Sequence, residues 1–329
     1  MSQPTRHGGA VRATLAGIVD RFTPRGPGVR LDPTVRLDGQ TALVTGASRG
    51  LGLAIAQGLA HRGARLILPC RSGHAEAEAA VLAVAPEAQV ELLDVDLASP
   101  ASVEALCDTL RDRGERLDLL VCNAGVVPAR ARTTPAGLDL MVHVNFLANV
   151  QLVRRLLDDG TLPRDRQPPA RIVLVGSEAH RSAPPIDPDR WDRAEDYGTA
   201  AVIDHYGRSK LLLHAWVCEL ARRLDGPDGP QVAVHHLCPG AVASSIAREA
   251  PGWVKPLLDL LMRTFFASPA KASLPALYLA AEPTLDGRTG VYLHLDRARD
   301  VAATASDPEV GATLWDAAGA RVLAWRSGP

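Results

Sequence analysis

At 329 residues, 47% apolar and 22% charged, the chain is long enough for one large α/β domain or two small ones with a sizeable core. A formal net charge of −1, with dispersed basic residues and few aromatics, leaves no field to draw it to nucleic acid or an anionic membrane. Cys70, Cys107, Cys122, Cys218 and Cys238 form no C-x-x-C pair, which argues against a disulfide framework or zinc site and for a reducing, cytoplasmic setting; no apolar run reaches the roughly 18 residues of a membrane span.

The first 36 residues precede any strand. Val11, Leu15, Ile18, Val19 and Phe22 fall on one helical face, and 23–33 is a linker rich in Pro and Gly. Such a helix packs on the body or on a partner subunit. A peripheral membrane contact is the alternative, disfavoured by the shortness of the apolar face. Continuous signal-peptide character is absent from this stretch.

Thr41–Val44 is a short apolar run suited to a buried parallel strand. A glycine-rich turn, 45–52, follows at once, and then a helix with Leu51, Ile55 and Leu59 at four-residue spacing that Gly63 closes. Gly46 permits the tight turn, Gly50 lets a pyrophosphate approach the backbone, and Gly52 lets the helix close on the sheet. The helix N-terminus offers N–H groups and positive dipole to an anion. Strand, glycine turn and helix together read as a dinucleotide-binding turn, with a glycine turn of some other α/β protein as the competing reading.

Further strands are expected at 64–69, 90–95, 117–122, 171–175, 232–237 and 290–293. Helices are expected at 76–85, 101–113, 138–157, 206–224, Pro269–Ala281 and 307–322, with a long polar loop at 178–205 and helical periodicity over 241–267. Strands apolar on both faces, alternating with helices, predict an α/β fold with a doubly wound parallel sheet (a Rossmann fold). A single domain, 37–329, carries an N-terminal arm, 1–36.

Tyr206 and Lys210 lie four residues apart on a predicted helix, so they share a face. A phenol is a poor base at neutral pH, and a nearby ammonium lowers its pKa, which would suit it to exchange a proton with a carbonyl or alcohol oxygen. Ser177 ends the fifth strand, where ligands bind in open α/β sheets, and could hydrogen-bond a substrate oxygen; a turn or capping serine is the plainer role. Asn145 interrupts an apolar helix, which calls for a side-chain bond to backbone or water. His143, His180 and His205 read as structural or surface histidines, and no cluster has metal-ligand spacing.

These motifs, in this order, resemble those of the short-chain dehydrogenase/reductase family from about residue 37 onward. Asn145, Ser177, Tyr206 and Lys210 stand where that family has its catalytic tetrad. The resemblance implies Tyr206 as acid/base, Ser177 orienting the carbonyl, Lys210 lowering the phenol pKa and binding the ribose, and Asn145 holding a relay water. It also implies a cofactor site from Gly46, Ser48, Arg49, Gly50, Leu51 and Gly52, from Asp96 and Leu97 at adenine, and from Asn123, Ala124 and Gly125, where Cys122 replaces an Asn. Pro239, Gly240, Val242 and Ser244 would lie near the nicotinamide, together with Tyr206 and Lys210. Cys70-Arg71, 144–147, 177–180, Ser268-Pro269, 290–292 and Leu314-Trp315 are similar to the retinol-dehydrogenase-like branch, whose membrane anchor has no counterpart in this apolar pattern.

The second strand ends in Pro69-Cys70-Arg71-Ser72 with no acidic residue for a ribose 2′-OH. Arg71, with Arg49 in the turn, therefore favours the 2′-phosphate of NADP(H), against the reading of two surface charges. The expected activity is NADP-dependent hydride transfer with a carbonyl or alcohol small molecule. The alternative is a cofactor-bound protein of the same fold without net redox turnover. Segment 241–267, with Trp253, Val254, Leu257, Leu258, Leu261, Met262, Phe265 and Phe266, is expected to cover a bulky apolar substrate beside loop 178–205, or else to meet a second subunit.

Overall fold

The structure, a computed structural model, describes residues 28–135, 137–187, 190–198, 201–240 and 268–326. The expected N-terminal helix, the segment 241–267 and the site residues Val242 and Ser244 lie outside these.

Among the described residues, seven parallel strands and one antiparallel edge strand build the sheet: β1 (Thr41–Val44), β2 (Arg65–Cys70), β3 (Val90–Asp94), β4 (Leu119–Cys122), β5 (Ala170–Val175), β6 (Val232–Cys238), β7 (Tyr292–His294) and β8 (Arg297–Ala298). Their order is β8-β7-β6-β5-β4-β1-β2-β3, with β8 antiparallel to β7. The chain reverses direction of travel between β1 and β4, so a crevice opens beyond the carboxyl ends of these two strands.

Strand residues alternate between two apolar layers, as the pleat demands. Leu43, Ile67, Leu120, Ile172 and Val234 face one layer, closed by helices α3 (Pro100–Asp112), α5 (Ala148–Asp158), α6 (Val202–Leu224) and α9 (Pro308–Arg326). Ala42, Val44, Leu66, Leu68, Val121 and Val173 face the other, closed by α1 (Gly50–Ala60), α2 (His74–Leu82) and α7 (Pro269–Ala281). Local chemistry sets the helix starts. Ser99 and Ser268 cap α3 and α7 ahead of Pro100 and Pro269, and Asp139 caps α4 (Leu140–Val142) by accepting the Val142 N–H at 2.8 Å. In α9, Trp315 stacks on Trp216 of α6 at 5.6 Å between ring centroids.

Several expectations need correction. β3 is an edge strand whose residues are partly or fully exposed, so it is not apolar on both faces. Strand 117–122 begins at Leu119, and strand 290–293 is shifted to Tyr292–His294, because each starts where its neighbour offers a ladder. The expected helix 138–157 is α4, a π-helical turn at His143–Leu147, and α5. Loop 178–205 opens with a 3-10 turn at Glu178–Ser182, and its last residues already belong to α6. A hairpin at Asp225–Gly226 and Gly229–Pro230, the edge strand β8 and the short helix α8 (Ala303–Ser306) carry too little pattern to be read in advance. All five cysteines are unpaired, and no described helix is long and apolar enough to cross a membrane.

Burial holds an unusual number of imidazoles neutral. It pushes His143 down to about 4 and His235 and His236 down to about 3, and it lowers His180, His205 and His214 below the ordinary 6.5. The unfolded chain takes up these protons near pH 6.5 while the folded chain does not, so this stability is complete above that pH and is lost as pH falls through it. The Tm is expected to be level above about pH 7 and to fall steadily from about pH 6.5 towards 4. A Tm unchanged over that acid range would show that the imidazoles are not held neutral.

Candidate active site

The crevice floor is made by loops bonded to one another. The Thr45 hydroxyl, directly after β1, accepts the N–H groups of Asn123 (3.0 Å) and Ala124 (3.2 Å) after β4. Asn123 Nδ2 donates in return to the Thr45 and Gly46 carbonyls at 3.0 and 3.4 Å. Gly46 has φ +67°, and a Cβ on it would stand 3.0 Å from Ala124 Cα. A Cβ on Gly52 would stand 2.4 Å from both Asn123 Nδ2 and the Gly46 carbonyl oxygen. The glycines therefore let two loops and the start of α1 close into a cradle. Arg49 precedes α1 in extended conformation without a side-chain cap, and Gly50, with φ +58°, opens the helix. Such a turn could hold a pyrophosphate.

Other expected cofactor residues distribute around this cradle. Ser48 faces Gly73 beyond the end of β2, where a Cβ on the glycine would meet the serine Cβ at 3.4 Å. Arg71 is largely exposed, with Nη1 4.0 Å from Asp96 Oδ1. The Asp96 carboxylate also accepts the Ala98 N–H at 3.0 Å. Leu51 and Leu97 point into the two apolar layers, so only their main chain is left to a ligand. The Asn123 amide is likewise committed to the turn. Pro239 and Gly240 follow β6, and Gly240 backs onto Leu295.

The four residues matched to the catalytic tetrad converge beyond β5. Lys210 is buried and donates from Nζ to the Val175 carbonyl at 2.8 Å. The same Nζ lies 5.8 Å from the Tyr206 ring centroid, and the Ser177 hydroxyl beyond β5 accepts the Ala179 N–H at 3.2 Å. Asn145, fully buried in the π-helical turn, accepts the Val126 N–H at 2.8 Å and donates to the Val126 carbonyl (3.0 Å) and to Ser209 Oγ (3.1 Å). Ser209 in turn donates to the Tyr206 carbonyl at 2.8 Å. A Cβ on Gly125 would lie 3.2 Å from Asn145 Oδ1 and 3.9 Å from Lys210 Nζ, so these two side chains flank the same point of the β4 loop.

The electrostatics differ from expectation in one respect. Burial pushes the Tyr206 phenol up to about 12, and the nearby Ser177 side chain opposes this without overcoming it. Burial likewise depresses the Lys210 ammonium to about 8, and its Nζ donates to the Val175 carbonyl. Sequence reasoning also passed over Thr45, Ser209 and His214. The signal for His214 was present: with Tyr206 and Lys210 it continues one helical face at four-residue spacing.

A doubly wound sheet with this cradle and this convergence of Ser, Tyr and Lys defines a nucleotide-binding oxidoreductase. Residues 40–186 match the family model for short chain dehydrogenases. Human retinol dehydrogenase 14 is 34% identical over 331 residues, covering 93% of this chain and 95% of the relative. Bovine dehydrogenase/reductase SDR family member 13 is 34% identical over 85% of this chain and 72% of its own length. Among solved structures, the Pseudomonas aeruginosa RhlG/NADP active-site complex superposes with a TM-score of 0.61 at 27% identity, over 81% of this chain and 98% of that one. The chain belongs to the short-chain dehydrogenase/reductase family, in its retinol-dehydrogenase-like branch.

Gly52→Ala tests the cradle. The added methyl meets backbone and a bonded amide, so the variant is expected to be destabilised by about 1–3 kcal/mol and to lose nicotinamide-cofactor affinity. Denaturant unfolding and cofactor titration measure the two effects; wild-type values for both would show that the turn does not need this close approach.

Proposed function

We propose that this protein is an NADP(H)-dependent oxidoreductase that interconverts a carbonyl and an alcohol on a largely apolar small molecule, with Tyr206 as acid/base. The observation that carries this reading is the convergence of Ser177, just beyond β5, with Tyr206 and with a Lys210 held on the Val175 carbonyl, its Nζ 5.8 Å from the Tyr206 ring centroid. When bound, the nicotinamide supplies or accepts the hydride.

The chain's own residues supply the rest. Ser177 orients a substrate carbonyl towards the phenol and stabilises developing negative charge. A phenol pushed up to about 12 is protonated at neutral pH, so Tyr206 is poised to give a proton to that oxygen, the direction of carbonyl reduction. Lys210 holds the ribose side of the site and lies at the inner end of the proton path. Asn145 acts chiefly through Val126 and Ser209; both its N–H donors are used, which leaves one Oδ1 lone pair for a relay water. Gly46, Ser48, Arg49, Gly50 and Gly52 would hold the pyrophosphate.

NADP(H) is favoured over NAD(H) because β2 ends in Cys70 and is followed by Arg71, where an acidic residue would take a ribose 2′-OH. The NADP complex of the related RhlG structure supports the same choice. An apolar substrate is supported by the wall beside the phenol, where buried Met141, Tyr197 and Val202 cluster with Val127 and Tyr206. Unpaired cysteines suit a reducing compartment such as the cytoplasm.

Oxidation of NADPH in the presence of an aldehyde and ketone panel is the direct assay. A folded sample that binds NADPH, reduces no carbonyl and oxidises no alcohol would identify a cofactor-bound protein without redox turnover. Tyr206→Phe is expected to cut kcat by about 10²–10⁴-fold while NADPH still binds. Retention of most of the rate would remove Tyr206 from the acid/base role. Arg71→Ala is expected to weaken NADPH binding about tenfold or more and leave NADH nearly unchanged, since a charge-assisted hydrogen bond contributes about 1.5–3 kcal/mol. Equal losses for the two cofactors would exclude recognition of the 2′-phosphate by this side chain.

A further inference from the structure

Beneath Ser177 lies a group of buried imidazoles with no assigned part in the chemistry. His180, His214 and His236 are 1%, 0% and 2% exposed. His214 Nε2 stands 3.3 Å from the Ser177 amide nitrogen, and its Nδ1 stands 2.8 Å from Nδ1 of His236. His180 Nδ1 stands 2.7 Å from the Ser177 carbonyl oxygen, and its Nε2 stands 3.1 Å from the Ala302 amide nitrogen.

Donor and acceptor bookkeeping leaves one arrangement. The amide N–H groups of Ser177 and Ala302 can only donate, so His214 Nε2 and His180 Nε2 are acceptors. A neutral imidazole carries its hydrogen on the other nitrogen, so His214 Nδ1–H donates to His236 and His180 Nδ1–H donates to the Ser177 carbonyl. Both polar groups of the Ser177 main chain are thus held by imidazoles, one on each side, in a single hydrogen-bonded line from His236 to Ala302. Gly176 makes room for this. A Cβ there would stand 2.2 Å from His214 Nε2 and 2.3 Å from its Cε1.

We propose that His180 and His214 are positioning residues for the reaction, which fix the main chain of Ser177 and thereby aim its hydroxyl at Tyr206 and the substrate oxygen. This rests on the oxidoreductase reading above. Neither imidazole exchanges a proton with substrate. Both act by removing the freedom of a serine that sits on a strand-to-loop junction, where a displacement of about 1 Å can cost about a hundredfold in rate.

Four variants and one spectrum test this. His214→Leu and His180→Leu are expected to lower kcat about tenfold to a hundredfold with NADPH affinity unchanged. His214→Gln keeps an acceptor for the Ser177 N–H, and His180→Asn keeps a donor for its carbonyl, so each is expected to recover most of that loss. Leu variants with wild-type kcat, or Gln and Asn variants as impaired as the Leu ones, would overturn the proposal in favour of simple packing. Long-range ¹H–¹⁵N spectra of the histidine-labelled wild type are expected to show both His180 and His214 neutral with hydrogen on Nδ1 at pH 7. The opposite tautomer in either would overturn it without reference to activity, even if a Leu variant failed to fold. Failure of the oxidoreductase reading is seen separately, as a wild type that binds NADPH and reduces nothing.

Discussion

The Lys210 ammonium on the Val175 carbonyl oxygen is the contact from which the rest of the site takes its geometry. A buried ammonium without a partner would be costly, and this one has its partner in the last residue of β5. The bond pins α6 against the carboxyl end of the sheet. Tyr206 is one helical turn before Lys210 and Ser177 two residues after Val175, so one bond brings together side chains that come from two distant parts of the chain. The burial that this requires also depresses the ammonium and raises the phenol, so the same packing sets both position and protonation.

Around that contact the loops satisfy each other's polar groups. Thr45 and Asn123 exchange bonds across the β1 and β4 ends, Asn145 takes both polar groups of Val126, and imidazoles take both polar groups of Ser177. These described loops are thereby cross-braced by the chain's own groups, which reduces what ligand binding must reorganise among them. Farther out, Glu178 gathers the Tyr292 hydroxyl at 2.6 Å and the guanidinium groups of Arg181 and Arg299, so the turn after Ser177 is tied to the β7–β8 edge.

Much of this was legible in the sequence where one local signal sufficed. Thr41–Val44 and Pro269–Ala281 were read at their observed bounds, the first from a closed apolar run and the second from a Ser-Pro start. Tyr206 and Lys210 were readable because helical spacing fixes their common face. What escaped depends on partners far apart in the chain. His214 and His236 are anonymous apolar-neighbourhood histidines until α6 packs on β6, and β8 is two residues that form a strand only because His294 and Leu293 lie opposite. The expected lowering of the Tyr206 pKa failed for a related reason: spacing reports proximity to a charge, but burial is a property of the whole packing.

The π-helical turn at His143–Leu147 has a meaning beyond its local shape. A wide turn carries one residue more than an α-turn, so the helix on either side of it keeps its own rotational phase. Leu140–Val142 and Ala148–Asp158 can therefore each keep an apolar face to the core while Asn145, between them, is aimed at Val126. The carbonyl of Asn145 accepts from Asn149 Nδ2 at 3.0 Å. In mechanical terms the turn is a clutch: it uncouples the angle of one side chain from the angle of the rod that carries it. A helix of uniform pitch would have to choose between burying its leucines and presenting its asparagine; this one is built so that changes to its core face need not turn Asn145 away from the site.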